Sequence, residues 1–78
     1  MKINVNYQSG EGRDIRGGVD YMRAVVDDVE LYAEEAITEE TDEAENARYD
    51  VLRAEILKQA AEAGIAADRL AFWWDGQR

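Results

Sequence analysis

A chain of 78 residues that contains neither cysteine nor histidine has few ways to hold a fold together. A domain of this size has a thin core and usually adds disulfides, a structural metal or self-association. Disulfides and the common types of zinc site are excluded here by composition. We therefore expect one small domain over residues 1–78, without metal or cofactor, with homodimer formation as the remaining supplement.

The apolar pattern changes its period along the first half of the chain. Residues 2–7 alternate apolar and polar side chains, which predicts a strand with Ile3, Val5 and Tyr7 on one face. Residues 9–18 contain four glycines and predict a flexible loop. From residue 19 apolar residues recur at helical spacing, which predicts a helix over about 19–37 with the stripe Met22, Val25, Val26, Val29, Ala33, Ala36 and Ile37.

The second half of the chain predicts a second helix and a final strand. Thr41 is a suitable N-cap for a helix over about 42–63, and Gly64 followed by Ile65 is typical of a helix end. The apolar stripe of this helix is Tyr49, Leu52, Ile56, Ala60 and Ala63, widened by Val51 and Leu57. The aromatic stretch over about 69–74 predicts a strand with Leu70, Phe72 and Trp74 on one face.

These elements predict an α+β fold in the order strand, helix, helix, strand. A helical hairpin would pack on a two-stranded antiparallel sheet formed by the first and last strands. A sheet this narrow leaves open edges, and pairing two copies across a two-fold axis would extend it to four strands. This is the reason for expecting a homodimer.

The net charge of −9 is concentrated in one third of the chain. Between Arg23 and Arg48 there is no lysine or arginine, and there are ten acids. We take these acids as the candidate partner-binding residues: Asp27, Asp28, Glu30, Glu34, Glu35, Glu39, Glu40, Asp42, Glu43 and Glu45.

The residue types needed for catalysis are scarce. Ser9, Thr38 and Thr41 are the only hydroxyl nucleophiles besides the tyrosines, and no histidine is available to activate them. The acids are crowded on a predicted polar surface, where nothing would desolvate one and raise its pKa. We expect no enzyme and no catalytic residue.

Three residues outside the acidic block are further candidates. Arg13 and Arg16 precede a predicted helix and are candidates for contact with an anion or a partner, although a solvated connector is the preferred interpretation. The segment 12–19 lacks the lysine and the Ser/Thr of a phosphate-binding loop. Trp73 alternates away from Phe72 and Trp74, so it would stack on the solvent face, lie in a dimer contact or anchor a partner.

The acidic block has a structural and a functional interpretation. Charge runs often only keep a protein soluble, and acids in the first turn of a helix stabilise it. Acids at the predicted C-terminal end of the first helix would instead oppose its dipole, and Glu30–Glu34 and Glu35–Glu39 would be like-charge pairs at i,i+4. Local rules broken together favour a functional role for the block.

In size, acidity and layout the chain resembles the small acidic inhibitors encoded by phages and mobile elements, with anti-CRISPR proteins and other DNA mimics as the nearest class. The resemblance implies a non-enzymatic inhibitor whose acidic helical face occupies a basic nucleic-acid-binding surface of a host complex. It implies a phage protein acting in the bacterial cytoplasm, without direct binding to nucleic acid or membrane. The alternative is a small regulatory or antitoxin-like protein-interaction module that does not mimic nucleic acid.

Overall fold

The computed structural model describes residues 2–11, 18–72 and 74. These residues form an α+β fold with one helix and two small sheets. A three-stranded antiparallel sheet has the order β2-β3-β4, and a separate parallel pair joins β1 to β5. The elements are β1 (Ile3–Asn4), β2 (Asn6–Glu11), β3 (Val19–Val26), β4 (Val29–Ala36), α1 (Asp42–Glu62), a 3-10 turn (Ala67–Arg69) and β5 (Leu70–Ala71).

The segment predicted as the first helix is a β-hairpin, so that prediction is wrong. Strands β3 and β4 pair in continuous register from Val19 opposite Ala36 to Val26 opposite Val29. Asp27 and Asp28 form the two-residue turn, with φ values of 52° and 68°. Two successive left-handed residues give the turn twist that matches paired strands, and aspartate tolerates this conformation better than most residues.

The burial of individual side chains shows why the hairpin is formed. Met22 and Val26 fit either period, but the helical stripe included Val25, which is 47% exposed. Ala24 and Leu31 lay outside that stripe, and both are buried. Alternation along two strands therefore covers one continuous apolar face, which a single helix over these residues would have split.

Helix α1 forms where the sequence predicts it. The Thr41 hydroxyl accepts a hydrogen bond from the Ala44 N–H at 3.0 Å, which caps the first turn. At the other end, Gly64 adopts a φ of 78°, and the Ile65 N–H donates to the Ala60 carbonyl at 2.8 Å. Ile65 is buried, as expected for a residue folding back on the helix it ends.

The core lies between α1 and the inner face of the three-stranded sheet. Four residues of the predicted α1 stripe are buried, whereas Ala63 and Val51 are exposed. Leu70 packs in the same core, and Phe72 and Trp74 lie partly buried against it. The buried apolar residues are Val5, Met22, Ala24, Val26, Leu31, Ala33, Tyr49, Leu52, Ile56, Ala60, Ile65 and Leu70.

The predicted helical hairpin and strand-helix-helix-strand order are therefore replaced by a strand hairpin and one helix. This changes the direction of the last strand: β5 runs parallel to β1, with Ile3 opposite Leu70. The hairpin reverses the chain once more than a single helix would, so the return strand points the opposite way from the prediction. Strand β5 covers only Leu70–Ala71 of the predicted 69–74, and β2 extends through Glu11 into the predicted loop 9–18.

Candidate functional site

The candidate acids lie in three places rather than on one helical face. Asp27, Asp28 and Glu30 lie at the turn end of the β3–β4 hairpin, and Glu45 points toward β2 from the first turns of α1. The other six lie on one stretch of chain that begins in β4 and ends in the first turn of α1. We call this stretch, residues 34–43, the acidic segment, and its acids are Glu34, Glu35, Glu39, Glu40, Asp42 and Glu43.

Two of the three acids at the turn end, Asp27 and Glu30, have arginine partners. The Arg69 guanidinium contacts the Asp27 carboxylate at 2.7 Å, and Arg23 pairs with Glu30 across the two strands. The hydrogen bond and the charge of Arg69 lower the pKa of Asp27. Both pairs are exposed. Arg23 links β3 to β4, and Arg69 links the 3-10 turn to the hairpin turn, so these two arginines offset the charges of Glu30 and Asp27.

The acidic segment has no such partners. Each of its six acids is exposed, and within the described residues none is in an ion pair with lysine or arginine. Asp42 and Glu43 lie in the first turn of α1, where acids suit the helix dipole. The helical i,i+4 repulsion expected for Glu30–Glu34 and Glu35–Glu39 does not occur, because these residues are not in a helix.

The basic residue next to the acidic segment is engaged elsewhere. The Arg48 guanidinium lies 2.7 Å from the Asp20 carboxylate, whose side chain is fully buried. A second Arg48 nitrogen donates to the backbone carbonyl of Glu39 at 2.8 Å. Arg48 therefore fixes the path of the acidic segment through its backbone and leaves the carboxylates of the segment unpaired. The hydrogen bond to Asp20 raises the pKa of Arg48.

A partly buried polar network surrounds Asp20, whose own side chain is fully buried. The Ser9 hydroxyl donates to Asp20 Oδ1 at 2.8 Å, and the Tyr7 hydroxyl lies 3.3 Å from Asp20 Oδ2 and 3.1 Å from Glu45 Oε2. Burial and the two neighbouring carboxylates raise the pKa of Tyr7, so its phenol stays protonated. No buried side-chain polar atom in the described part of the chain lacks a partner. The network connects β2, β3 and α1 and acts as a structural anchor.

The helix predicted over about 19–37 would place Asp20 in its first turn, on the solvent side, and so conceals this network. The signal was present in the alternation of β3, where Asp20 occupies a position on the inner face with Met22 and Ala24. A charged residue at an apolar position of a strand requires a buried partner. Arg48 of α1 is that partner.

The outer face of the three-stranded sheet is open to solvent. Tyr21 and Tyr32 stack across β3 and β4 with ring centroids 5.8 Å apart, and Tyr32 is 40% exposed. Val25 lies on the same face. The Tyr32 hydroxyl donates to Glu34 at 2.7 Å, and this hydrogen bond raises the pKa of Tyr32. The face is a second candidate contact surface that the predicted helix had concealed.

Arg13, Arg16 and Trp73 lie outside the described residues, as does the part of the predicted loop from 12 to 17. In the described ranges no three acidic side chains are grouped so that they could hold a metal ion. Across those same ranges, no helix combines the length and apolar character needed to cross a membrane.

Comparison with known proteins gives the chain no relatives to argue from. No protein-family model matches it. Likewise, no curated protein and no solved structure matches it significantly. Its function therefore has to be argued from its own residues.

Proposed function

We propose that the chain is a non-enzymatic, anti-CRISPR-like inhibitor that binds a basic nucleic-acid-binding surface of a host complex through the acidic segment. The observation that carries the proposal is the set of six exposed carboxylates on residues 34–43 without a lysine or arginine partner among the described residues. Asp42 and Glu43 lie at a helix start, where acids stabilise the helix, and the other four have neither that position nor an ion pair with a described residue.

The physical basis is competition for the same basic groups. A surface that binds nucleic acid is lined with lysine and arginine, and phosphates bind there largely by releasing counterions. A compact stretch of carboxylates is attracted to the same groups, while its own field repels nucleic acid. The carboxylates need not repeat along a helix for this competition, and only Asp42 and Glu43 of the segment lie in α1.

Capture from bacterial lysate tests the proposal. The natural chain is compared with a segment variant that carries Gln at 34, 35, 39 and 40, with and without added DNA or RNA. A matched control variant removes the same number of charges from exposed positions elsewhere, namely Asp28→Asn, Asp50→Asn, Glu62→Gln and Asp68→Asn.

The proposal expects a basic nucleic-acid-processing complex to be captured by the natural chain and by the control. That complex should be released by nucleic acid and lost with the segment variant. Capture that is indifferent to both nucleic acid and the segment substitutions contradicts the proposal.

The alternative function is a small regulatory or antitoxin-like interaction module without mimicry. The open sheet face favours it, since Tyr32 and Val25 expose apolar surface on the same side of the hairpin. A partner held there is bound mainly by apolar contact and depends little on salt. Substitution of Tyr32 and Val25 by serine, with the acidic segment intact, would then remove the partner that neutralising the segment leaves in place.

A further inference from the structure

The edge of β4 and the side of α1 enclose a cleft of about 390 Å³ that combines acidic and apolar walls. Three glutamates line it, and the described lining includes no lysine or arginine. Tyr32 and Val51 line it as well, and they are two of the four large hydrophobic residues that the described surface exposes. We call it the β4–α1 cleft; the residues that matter are Tyr32, Glu34, Glu35, Val51, Glu55 and Gln59.

The walls of the cleft are held in place by hydrogen bonds. The Gln59 side-chain amide accepts from the Tyr32 N–H at 2.9 Å and donates to the Tyr32 carbonyl at 2.7 Å. It also donates to the Glu55 carboxylate at 3.1 Å. Gln59 therefore takes the place of a neighbouring strand at Tyr32, which keeps another strand from pairing there and orients one glutamate of the cleft.

The chemistry of these walls selects the occupant. A long cationic side chain needs apolar surface for its stem and carboxylates for its head. Val51 supplies apolar surface for the stem, and the glutamates supply carboxylates for the head. Arginine fits better than lysine, because a guanidinium binds carboxylates through two parallel hydrogen bonds.

We infer that the β4–α1 cleft is the receptor for an arginine side chain of the partner protein. The inference rests on the proposed function and adds to it the residue that anchors the contact. Charge complementarity decides the occupant: Glu34, Glu35 and Glu55 bring negative charge to a cleft whose described lining has no cation to neutralise it. The partner is a protein with an exposed arginine, and the acidic segment beside the cleft attracts the basic surface around that arginine.

The test uses a defined probe, the capped peptide acetyl-Gly-Arg-Arg-Gly-amide, and its lysine counterpart as control. Each is titrated into the isotope-labelled full chain and followed by amide chemical shifts. The arginine peptide should give saturable shifts at Tyr32, Glu34, Glu35 and the Gln59 side-chain amide. It should bind at least ~3-fold more tightly than the lysine peptide.

Matched variants separate the cleft from the general field of the acidic segment. Glu35→Gln with Glu55→Gln should weaken binding about tenfold, because it removes the carboxylates that pair with the guanidinium. Glu39→Gln with Glu40→Gln removes the same charge outside the cleft and should change it no more than about twofold. Val51→Lys, at an exposed helix position, should abolish binding by placing a cation in the cleft.

Equal losses in the two double variants, equal affinity for the two peptides, or shifts spread along residues 34–43 would each overturn the inference. The proposed function is judged separately by capture from lysate. If capture survives Val51→Lys but is lost in the segment variant, the inference about the cleft is wrong and the proposed function stands. Capture that depends on neither contradicts both.

Discussion

The two ends of the β3–β4 hairpin are both rich in acids but differ in how the structure uses them. At the turn end, Asp27 and Glu30 pair with Arg69 and Arg23. At the open end, six carboxylates follow one another from β4 into α1 without a basic partner in the described chain. Charge that is close in sequence is thus divided into a part paired with arginine and an exposed part without an ion pair to a described residue.

The difference shows that the role of each acid is judged better by whether it has a basic partner than by its position in the sequence. Arg48 contacts the backbone of the acidic segment at the Glu39 carbonyl, yet its ion pair is with buried Asp20. Removing charge at the two ends of the hairpin should therefore affect different properties of the protein. Loss at the turn end should affect folding, and loss at the open end should affect binding.

The largest effect on stability is expected from breaking the pair between Arg48 and the buried Asp20 carboxylate. Arg48→Met removes the guanidinium that contacts the buried Asp20 carboxylate at 2.7 Å and should lower the free energy of unfolding by about 3–5 kcal/mol. Lys58→Met, at an exposed position of the same helix, is the control. Urea unfolding monitored by circular dichroism measures both, and a loss no greater than that of the control would show that the pair is not an anchor.

A smaller effect on stability is expected at the edge of β4, where Gln59 bonds the Tyr32 backbone. Gln59→Ala removes the hydrogen bonds to the Tyr32 backbone and should cost about 1–2 kcal/mol. It should also speed hydrogen exchange of the Tyr32 amide, whereas Glu62→Ala, at an exposed position of the same helix, should not. Unchanged exchange at Tyr32 would mean that Gln59 does not protect the edge.

The ion pair at the turn end predicts a pH dependence with a definite sign. The pKa of Asp27 is lowered by Arg69, so the pair adds stability above the ordinary value of 3.8 and loses it as pH falls through the lowered pKa. Arg69→Ala should therefore lower the melting temperature at about pH 6 by less than Gln59→Ala does, because the pair is exposed. The difference from the natural chain should shrink at about pH 3.

Lys58→Ala is the control for that experiment, since it removes a cation with no ion pair among the described residues. A difference between the natural chain and Arg69→Ala that grows as pH falls would reverse the sign and contradict the pairing of Asp27.

The smallest effect on stability is expected at the open end. The segment variant with Gln at 34, 35, 39 and 40 should change the free energy of unfolding by no more than about 0.5 kcal/mol, because these side chains are exposed and have no cation to lose. Denaturant unfolding beside the matched control variant measures this. A loss above about 1 kcal/mol would place the segment among the structural charges.

The sequence predicts α1 well because its local signals agree with one another. Thr41 as a cap, Gly64 as a stop and the stripe through Leu52 and Ile56 all indicate the same helix. Apolar residues of the predicted end strands also lie in or against the core, although the strands that pair, β1 and β5, have two residues each and run parallel. Local rules identify an element when cap, period and stop coincide.

The hairpin could not be separated from a helix by period alone. Met22, Val26 and Ala33 satisfy both patterns, and the turn at Asp27–Asp28 lacks the glycine that usually marks a hairpin. Four valines between 19 and 29 were the better evidence, since β-branched residues favour strands. The ion pairs of the candidate site depend on this tertiary arrangement, and so the division of the acids into paired and unpaired sets was not predictable.

The most direct test of the central claim is the salt dependence of binding to the complex captured from lysate. Dissociation constants are measured at increasing salt for the natural chain, the segment variant and the matched control variant. The account predicts steep, similar slopes of log Kd against log salt for the natural chain and the control, and a much shallower slope for the segment variant. Equal slopes for the segment and control variants would show that the 34–43 carboxylates have no special role, and would contradict it.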